Sequence, residues 1–477
     1  MLRPRVILGL LGSLIGIEGA LLLLPSITAI IYRESPLPFI LPSLLCLLLA
    51  LLIRTFVKEE GEEIYLRESF LLVSAGWTLF SILGALPYLF YNFSFIDALF
   101  ESASGFTTTG ATIIENIEAQ PRSLLFWRSL TQWVGGMGII VLFIAIFPRL
   151  SVGGRQLFSA EVPGPSYEKF KPRIRETAKS LWIVYVILSA AEFVLLLLFG
   201  MNPYEALLHT FSTMSTGGFS PLSSSIGAYS PVLQLIIIIF MIIAGANFVL
   251  HYRALMNSRF EYHRDEEFRA YFVLIILSTL LVSIILSSSG VSLLRALLMS
   301  AFQVVSIMTT TGFTTANFDS WPNGARMILF LLMFIGGSAG STAGALKVVR
   351  FTAILKYALN EIRRGIHPKG VFSIRIGGNV VSETVMSSVL SVFILYFLLF
   401  AISSTILSIL GYDLVTSLSA VATCLGNVGP GLGLVGPSES YAFLHPLAKL
   451  LLSFCMIAGK LEVLPILILF SPKFWKD

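Results

Sequence analysis

Charge-poor apolar runs of about 20 residues recur from one end of this 477-residue chain to the other. As a helix, such a run crosses the roughly 30 Å hydrocarbon core of a bilayer. Only helices and closed barrels satisfy their own backbone there, and continuous rather than alternating runs select the helix. Residue usage agrees, with 56% of residues hydrophobic and 12% charged, about half the charge of an ordinary soluble domain. The chain reads as an all-α polytopic membrane protein.

Spans are expected near 6–32, 38–53, 70–91, 124–147, 180–200, 231–250, 270–288, 327–349, 384–410 and 445–470. The first has a basic start like a secretory leader. Its apolar stretch is too long for one, and no small-residue cleavage site with a polar stretch follows, so it is read as a retained helix. Ten spans put both termini on one side. The loops of that side hold 25 of the 32 lysines and arginines, which by the positive-inside rule makes it cytoplasmic in a cell (inner, plasma) membrane. The net charge of +5 thus reflects topology. Lipid is the expected surroundings, and no nucleic acid is expected as a partner.

Four stretches interrupt the apolar pattern: "SASGFTTTGAT" (102–112), "STMSTGGFS" (212–220), "SIMTTTGFTTA" (306–316) and "ATCLGNVGPGLG" (422–433). All fall on the outer side. Each follows a segment of about 10–14 residues, too short to span and suited to a re-entrant half-helix. Aligning Gly110, Gly217, Gly312 and Gly429 gives spacings of 107, 95 and 117, a long-period repeat of helix, half-helix, loop and helix. Non-helical backbone at membrane depth is tolerated only where it is buried in protein or lines a watery cavity. Four such loops around one axis supply carbonyl oxygens that replace a cation's water shell. Glycine lets successive carbonyls face the axis, and the half-helices aim partly negative C-terminal ends toward the ion.

These loops, in this order, resemble those of the Trk/Ktr/HKT potassium-transporter superfamily, and "GGSAGSTAGALKVVR" (336–350) resembles its interrupted third-repeat helix. The resemblance covers about residues 70–470. Two additional N-terminal helices bring the chain nearer the TrkH-type membrane subunit. The fold implied is four pseudo-symmetric repeats of helix, pore helix, filter loop and helix around one ion pore, plus those two helices. The divisions expected are 1–66 for the N-terminal pair, 67–150, 151–262 with a cytoplasmic linker, 263–375 with the interrupted gating helix, and 376–477.

Carried onto this sequence, the resemblance implies a K+ filter of Thr108, Thr109, Gly110, Ser215, Thr216, Gly217, Thr310, Thr311, Gly312, Asn427, Val428 and Gly429. Related plant transporters with serine at the first glycine prefer sodium, so Gly110 favours potassium. The implied gate is Gly336, Gly337, Ser338, Ala339, Gly340, Ser341, Thr342, Ala343 and Gly344, a loop beneath the filter. Read from its residues alone, that stretch is also consistent with a close-packing small-residue surface. Lys460 stands where the family usually has arginine and is implied to be an electrostatic barrier in the pore. The alternative is a structural ion pair with Glu462, Glu192 or Glu18, since an intramembrane charge faces a cavity or a partner. The resemblance further implies a homodimer and a cytosolic Rossmann-type (RCK-like) regulatory subunit. Any nucleotide is expected on that subunit, no cofactor on this chain, and K+ as substrate ion.

Enzymatic readings fare poorly. "GGSAG" (336–340) fits the G-x-S-x-G nucleophile pattern but lacks its strand, elbow and histidine. "GLGLVG" (431–436) fits G-x-G-x-x-G without the strand before it. Cys46, Cys424 and Cys455 give no metal or disulfide spacing. The expectation is a non-enzyme: a potassium-uptake subunit, with a sodium-permeable or sodium-coupled transporter of the same fold as alternative and an intramembrane hydrolase as the remote one.

Overall fold

A computed structural model describes residues 2–57, 65–138, 174–258, 260–368, 370 and 372–476. Lys58, residues 139–147 of the span expected over 124–147, and the basic stretch 149–173 lie outside the described residues. Six described helices are long and apolar enough to cross a bilayer, or eight if two bent pairs each count as one. A short hairpin, Arg375–Ile376 with Asn379–Val380, is the only sheet among the described residues.

The two N-terminal helices, Pro4–Ile31 and Leu37–Phe56, meet along Gly12, Gly16 and Gly19. A β-carbon on Gly12 would lie 2.7 Å from Ile53 and one on Gly19 3.0 Å from Cys46, the small-residue approach that membrane helices use. Arg3 pairs with Glu68 at 2.7 Å and ties this hairpin to the first repeat.

Each repeat then follows one plan. The outgoing helices are Leu66–Leu83, Ile174–Leu198, Glu266–Ser288 and Glu383–Ile409. The half-helices are Phe95–Phe106, Pro203–Met214, Leu293–Met308 and Leu414–Gly426. Three of them start on a side-chain cap, from Ser94, Asn202 and Asp413, which satisfies orphan amides. The returning helices are Arg122–Gly136, Pro231–Ala244, Asn323–Leu332 and Pro446–Lys460.

Glycine sets the depth at which the half-helices sit. A β-carbon on Gly135 would lie 1.9 Å from the Phe106 carbonyl oxygen, and one on Gly459 1.9 Å from that of Leu425. The returning helices of repeats one and four therefore touch the backbone of half-helix ends directly.

Three of these returning helices run into a break in the helix. The chain turns by 102° between Pro231–Ala244 and Phe248–Met256, and by 118° between Pro446–Lys460 and Leu464–Phe470. In repeat three the helix stops at Leu332 and resumes at Val348, so the span expected over 327–349 is helical only at its ends. Uninterrupted spans were expected over 231–250 and 445–470. In the second case Glu462 and Val463 adopt left-handed backbone, φ 57° and 68°.

Gly135→Ala should destabilise the protein by about 1–3 kcal/mol, because a carbonyl cannot rotate away as a side chain can. Gly365→Ala is the control, since nothing lies within 4 Å of its β-position. Thermal unfolding of detergent-solubilised protein distinguishes the two, and equal midpoints would contradict the close approach.

Candidate functional site: a ring of four loops

Each half-helix ends in the same motif. Thr108, Thr216, Thr310 and Asn427 have φ of 55°, 55°, 57° and 54°. In each loop this residue's amide bonds three residues back and the next amide five residues back, as in Thr108 N–H to Gly105 O and Thr109 N–H to Ser104 O, both 2.9 Å. These are the two bonds of a Schellman cap. Asparagine tolerates left-handed backbone, whereas for β-branched threonine it is a genuine outlier.

Two residues on, the chain turns left-handed again at Gly110, Gly218, Gly312 and Gly429, with φ of 81°, 76°, 83° and 101°. The expected register of loop two is therefore corrected by one residue. Gly218, not Gly217, matches Gly110, and Thr216-Gly217-Gly218 takes the place given to Ser215-Thr216-Gly217. Ser215 is the helix cap, at φ −78°. The reason is geometric: the alternation requires positive φ at the first and third residues.

The four loops close a ring. A β-carbon on Gly110 would lie 2.3 Å from the Gly217 carbonyl oxygen, on Gly218 2.0 Å from that of Thr311, on Gly312 2.0 Å from that of Val428, and on Gly429 2.7 Å from that of Thr109. Each third-position glycine thus abuts the middle carbonyl of the next repeat, in the order one, two, three, four, one. No side chain fits there. All four glycines line a cavity of about 340 Å³.

Buried groups brace the loops from behind, and each brace differs. Arg128 pairs with Glu101 at 2.8 Å, both almost fully buried. Glu101 also accepts the Ile113 amide at 2.9 Å, and Arg128 lies over the Phe219 ring at 4.1 Å. Gln132 donates to the Gly217 carbonyl at 2.6 Å and accepts the Phe219 amide at 3.0 Å. In loop three the Ser306 hydroxyl donates to the Phe313 carbonyl at 2.6 Å. In loop four the Tyr441 hydroxyl donates to the Gly429 carbonyl at 2.9 Å. Sequence reading did not single out any of these side chains.

Residues 336–344 form a non-helical loop held on several sides. Ser338 donates its amide to the Gly245 carbonyl at 2.8 Å, and the Gly340 carbonyl accepts the Phe248 amide at 3.0 Å. The break in the second returning helix is thereby satisfied. The Thr342 hydroxyl reaches the Met214 carbonyl at 3.0 Å, and the Gly344 amide donates to the Thr310 hydroxyl at 2.7 Å. One oxygen of Glu267 accepts the amides of Ala339 (2.7 Å) and Val349 (3.0 Å), tying the middle of the loop to the start of the helix that follows it. Gly336, Gly337 and Gly344 would each set a β-carbon within 2.6 Å of a backbone oxygen.

Lys460 lies between this loop and the ring. Its ammonium donates to the Thr108 hydroxyl at 2.8 Å and the Thr342 carbonyl at 3.1 Å. Glu462 pairs with Arg350. Lys460, Glu462 and Ser341 to Gly344 line a second cavity of about 80 Å³. A ring of neutral oxygens with a charged, loop-filled space beside it suits a small desolvated cation.

The profile of the TrkH family, described as a cation transport protein, matches residues 41–477. The Trk system potassium uptake protein TrkH of Salmonella typhimurium is 39% identical, over 99% of this chain and 99% of its own. Trk system potassium uptake protein TrkG of Escherichia coli is 36% identical, over 99% of each chain. The crystal structure of the potassium transporter TrkH from Vibrio parahaemolyticus superposes with a TM-score of 0.91 at 36% identity, over the full length of both chains.

Arg128→Met should cost about 3–5 kcal/mol by leaving Glu101 buried and unpaired. Glu101→Gln with Arg128→Met should recover much of that loss in thermal unfolding. A single variant as stable as the parent would show that the pair does not hold loops one and two.

Proposed function

The chain belongs to the TrkH family of cation transport proteins, and from that premise we propose that it is a potassium-uptake subunit conducting K+ through one pore per chain. The observation that carries this reading is the closed ring in which Gly110, Gly218, Gly312 and Gly429 each abut a carbonyl of the next repeat. Potassium sheds its water only where oxygens are held at the right spacing, and four backbone strands locked edge to edge hold them so. The half-helix C-termini add negative potential at the same place.

The 336–344 loop is the gate of this pore. It fills the path beside the ring and is fixed by hydrogen bonds to other segments, so it has to shift for ions to pass. Lys460 adds a barrier of charge. A unit charge about 8 Å from a monovalent cation raises its energy by about 2 kcal/mol at an effective dielectric near 20, roughly 30-fold in occupancy.

The relatives are named as potassium uptake proteins of a Trk system. In the same reading the subunit is a homodimer in the inner membrane with both termini cytoplasmic. A cytosolic nucleotide-binding subunit of Rossmann type acts on the gate from that side. The five divisions of the sequence, 1–66, 67–150, 151–262, 263–375 and 376–477, are its working units.

Flux of K+ and Na+ into liposomes containing the purified chain tests the reading, and absence of K+ flux in the presence of its regulatory partner would refute it. Gly110→Ser should lower the K+/Na+ flux ratio about tenfold or more, since its β-carbon meets the Gly217 carbonyl and left-handed backbone strains serine by about 1–3 kcal/mol. An unchanged ratio would remove residues 108–110 from the filter. Lys460→Ala should raise K+ flux with little change of ion preference, while Lys460→Arg keeps flux low. If Lys460→Arg conducts like Lys460→Ala, charge is not the barrier.

A further inference from the structure

Loops one and three tether their middle residue in the same way. The Thr109 hydroxyl lies 2.7 Å from that of Thr107, and the Thr311 hydroxyl 2.7 Å from that of Thr309. Each pair ties the middle residue to the helix cap two residues earlier. Loop two has Ser215 and Gly217 at these positions, so no such pair can form. The Ser215 hydroxyl turns back to the Ser212 carbonyl at 3.2 Å.

The space is taken by a side chain from another repeat. A β-carbon on Gly217 would lie 2.4 Å from Cδ and 2.6 Å from Oε1 of Gln132, which is fully buried. Its Nε2 donates to the Gly217 carbonyl at 2.6 Å and its Oε1 accepts the Phe219 amide at 3.0 Å. A carbonyl can only accept and an amide N–H only donate, so these partners fix which way the Gln132 amide points. The Gly217 carbonyl is the one that faces Gly110 across the ring. A carbonyl has two lone pairs, so the bond to Gln132 leaves one for an ion. Glycine is the residue whose peptide planes turn most readily, and here Gln132 pins two successive planes from outside the loop, the first through the Gly217 carbonyl and the second through the Phe219 amide.

We propose that Gln132 is a positioning residue for ion preference, replacing in loop two the hydroxyl pair that loops one and three carry within themselves. The proposal rests on the potassium-pore reading and deepens it by naming what sets one of the four ring carbonyls. It does not require Gln132 to touch the ion.

The test is the K+/Na+ flux ratio of the purified full chain in liposomes. Gln132→Leu keeps the size and loses both bonds, and the ratio should fall about fivefold, the factor that a net hydrogen bond of ~1 kcal/mol corresponds to. Gln132→Glu accepts from Phe219 but donates to Gly217 only when protonated, so its ratio should be low near pH 8 and recover toward about pH 5. The parent chain is run at both values as the control for the other charged and ionisable groups nearby, His209 and the Arg128–Glu101 pair. The combined variant Ser215→Thr, Gly217→Thr, Gln132→Ala rebuilds the hydroxyl pair and should restore the ratio.

If the parent chain does not conduct K+, the pore reading fails first. If the parent is selective while Gln132→Leu stays within about twofold of it and Gln132→Glu shows no added pH dependence, the pore reading stands and the proposal is overturned. Should Gln132→Leu fail to fold, the two-pH comparison of Gln132→Glu decides.

Discussion

Backbone that leaves the helix inside a bilayer must find its hydrogen bonds within the protein, and that requirement binds the four repeats into one unit. The half-helices meet part of it alone, through the cap bonds at Thr108, Thr216, Thr310 and Asn427. The rest is met only between repeats. The break after Ala244 in repeat two is filled by Ser338 and Gly340 of repeat three. Loop two is braced by Gln132 of repeat one. Each third-position glycine is shaped by a carbonyl of the next repeat. An isolated repeat would leave these groups unpaired in hydrocarbon, at several kcal/mol apiece, so folding and ring closure are a single event.

Much of this was legible in the sequence, because hydropathy and repetition are long-range signals. The apolar runs, the short segments before each loop and the recurrence of Thr/Gly stretches placed the outgoing helices and half-helices within a few residues. The slip at loop two came from its second glycine. "STGGFS" aligns on either Gly217 or Gly218, and the phenylalanine that follows decides, since Phe219 then matches Phe313 of "TTTGFT". The breaks after Ala244 and Lys460 were hidden, because "AGAN" and "GKLEVLP" carry too little polarity to interrupt a hydropathy trace. The braces were hidden for another reason. Tyr441, Arg128 and Gln132 are ordinary residues near a membrane surface until the chain brings a carbonyl or carboxylate to meet them.

Backbone and side chains follow different rules around the ring. The dihedral alternation repeats in all four loops, down to φ values within a few degrees at the first position. The braces behind it come from four different residue sets: an ion pair, an amide, a serine hydroxyl and a tyrosine hydroxyl. A coordination site defined by carbonyls constrains only where the oxygens lie. Any group that donates to, or accepts from, the loop at the right distance meets that demand, so side chains are interchangeable where the backbone is not.

The left-handed threonines show where the repeats cease to be equivalent. Glycine would relieve their strain, of order 1–3 kcal/mol each, yet it would also delete a hydroxyl on the loop-facing side of the ring. Two of these hydroxyls are engaged by the parts proposed to gate conduction: Thr108 accepts from Lys460 and Thr310 accepts from the Gly344 amide. The Thr216 hydroxyl turns back to the Ser215 carbonyl, and Asn427 reaches Thr109 and the Met456 carbonyl. In repeats one and three, then, the strained residue's hydroxyl bonds to the proposed gate or to Lys460, whereas in two and four its side-chain hydrogen bonds stay within the ring and its supports, although Asn427 also packs against Gly344. In the proposed gating, movement of the 336–344 loop would break the contact at Thr310 directly and the one at Thr108 through Lys460. It leaves the Schellman caps intact, because those are closed by backbone alone. In that reading the fold separates what stays fixed, the carbonyl geometry, from what is released, the two hydroxyl contacts, within single residues.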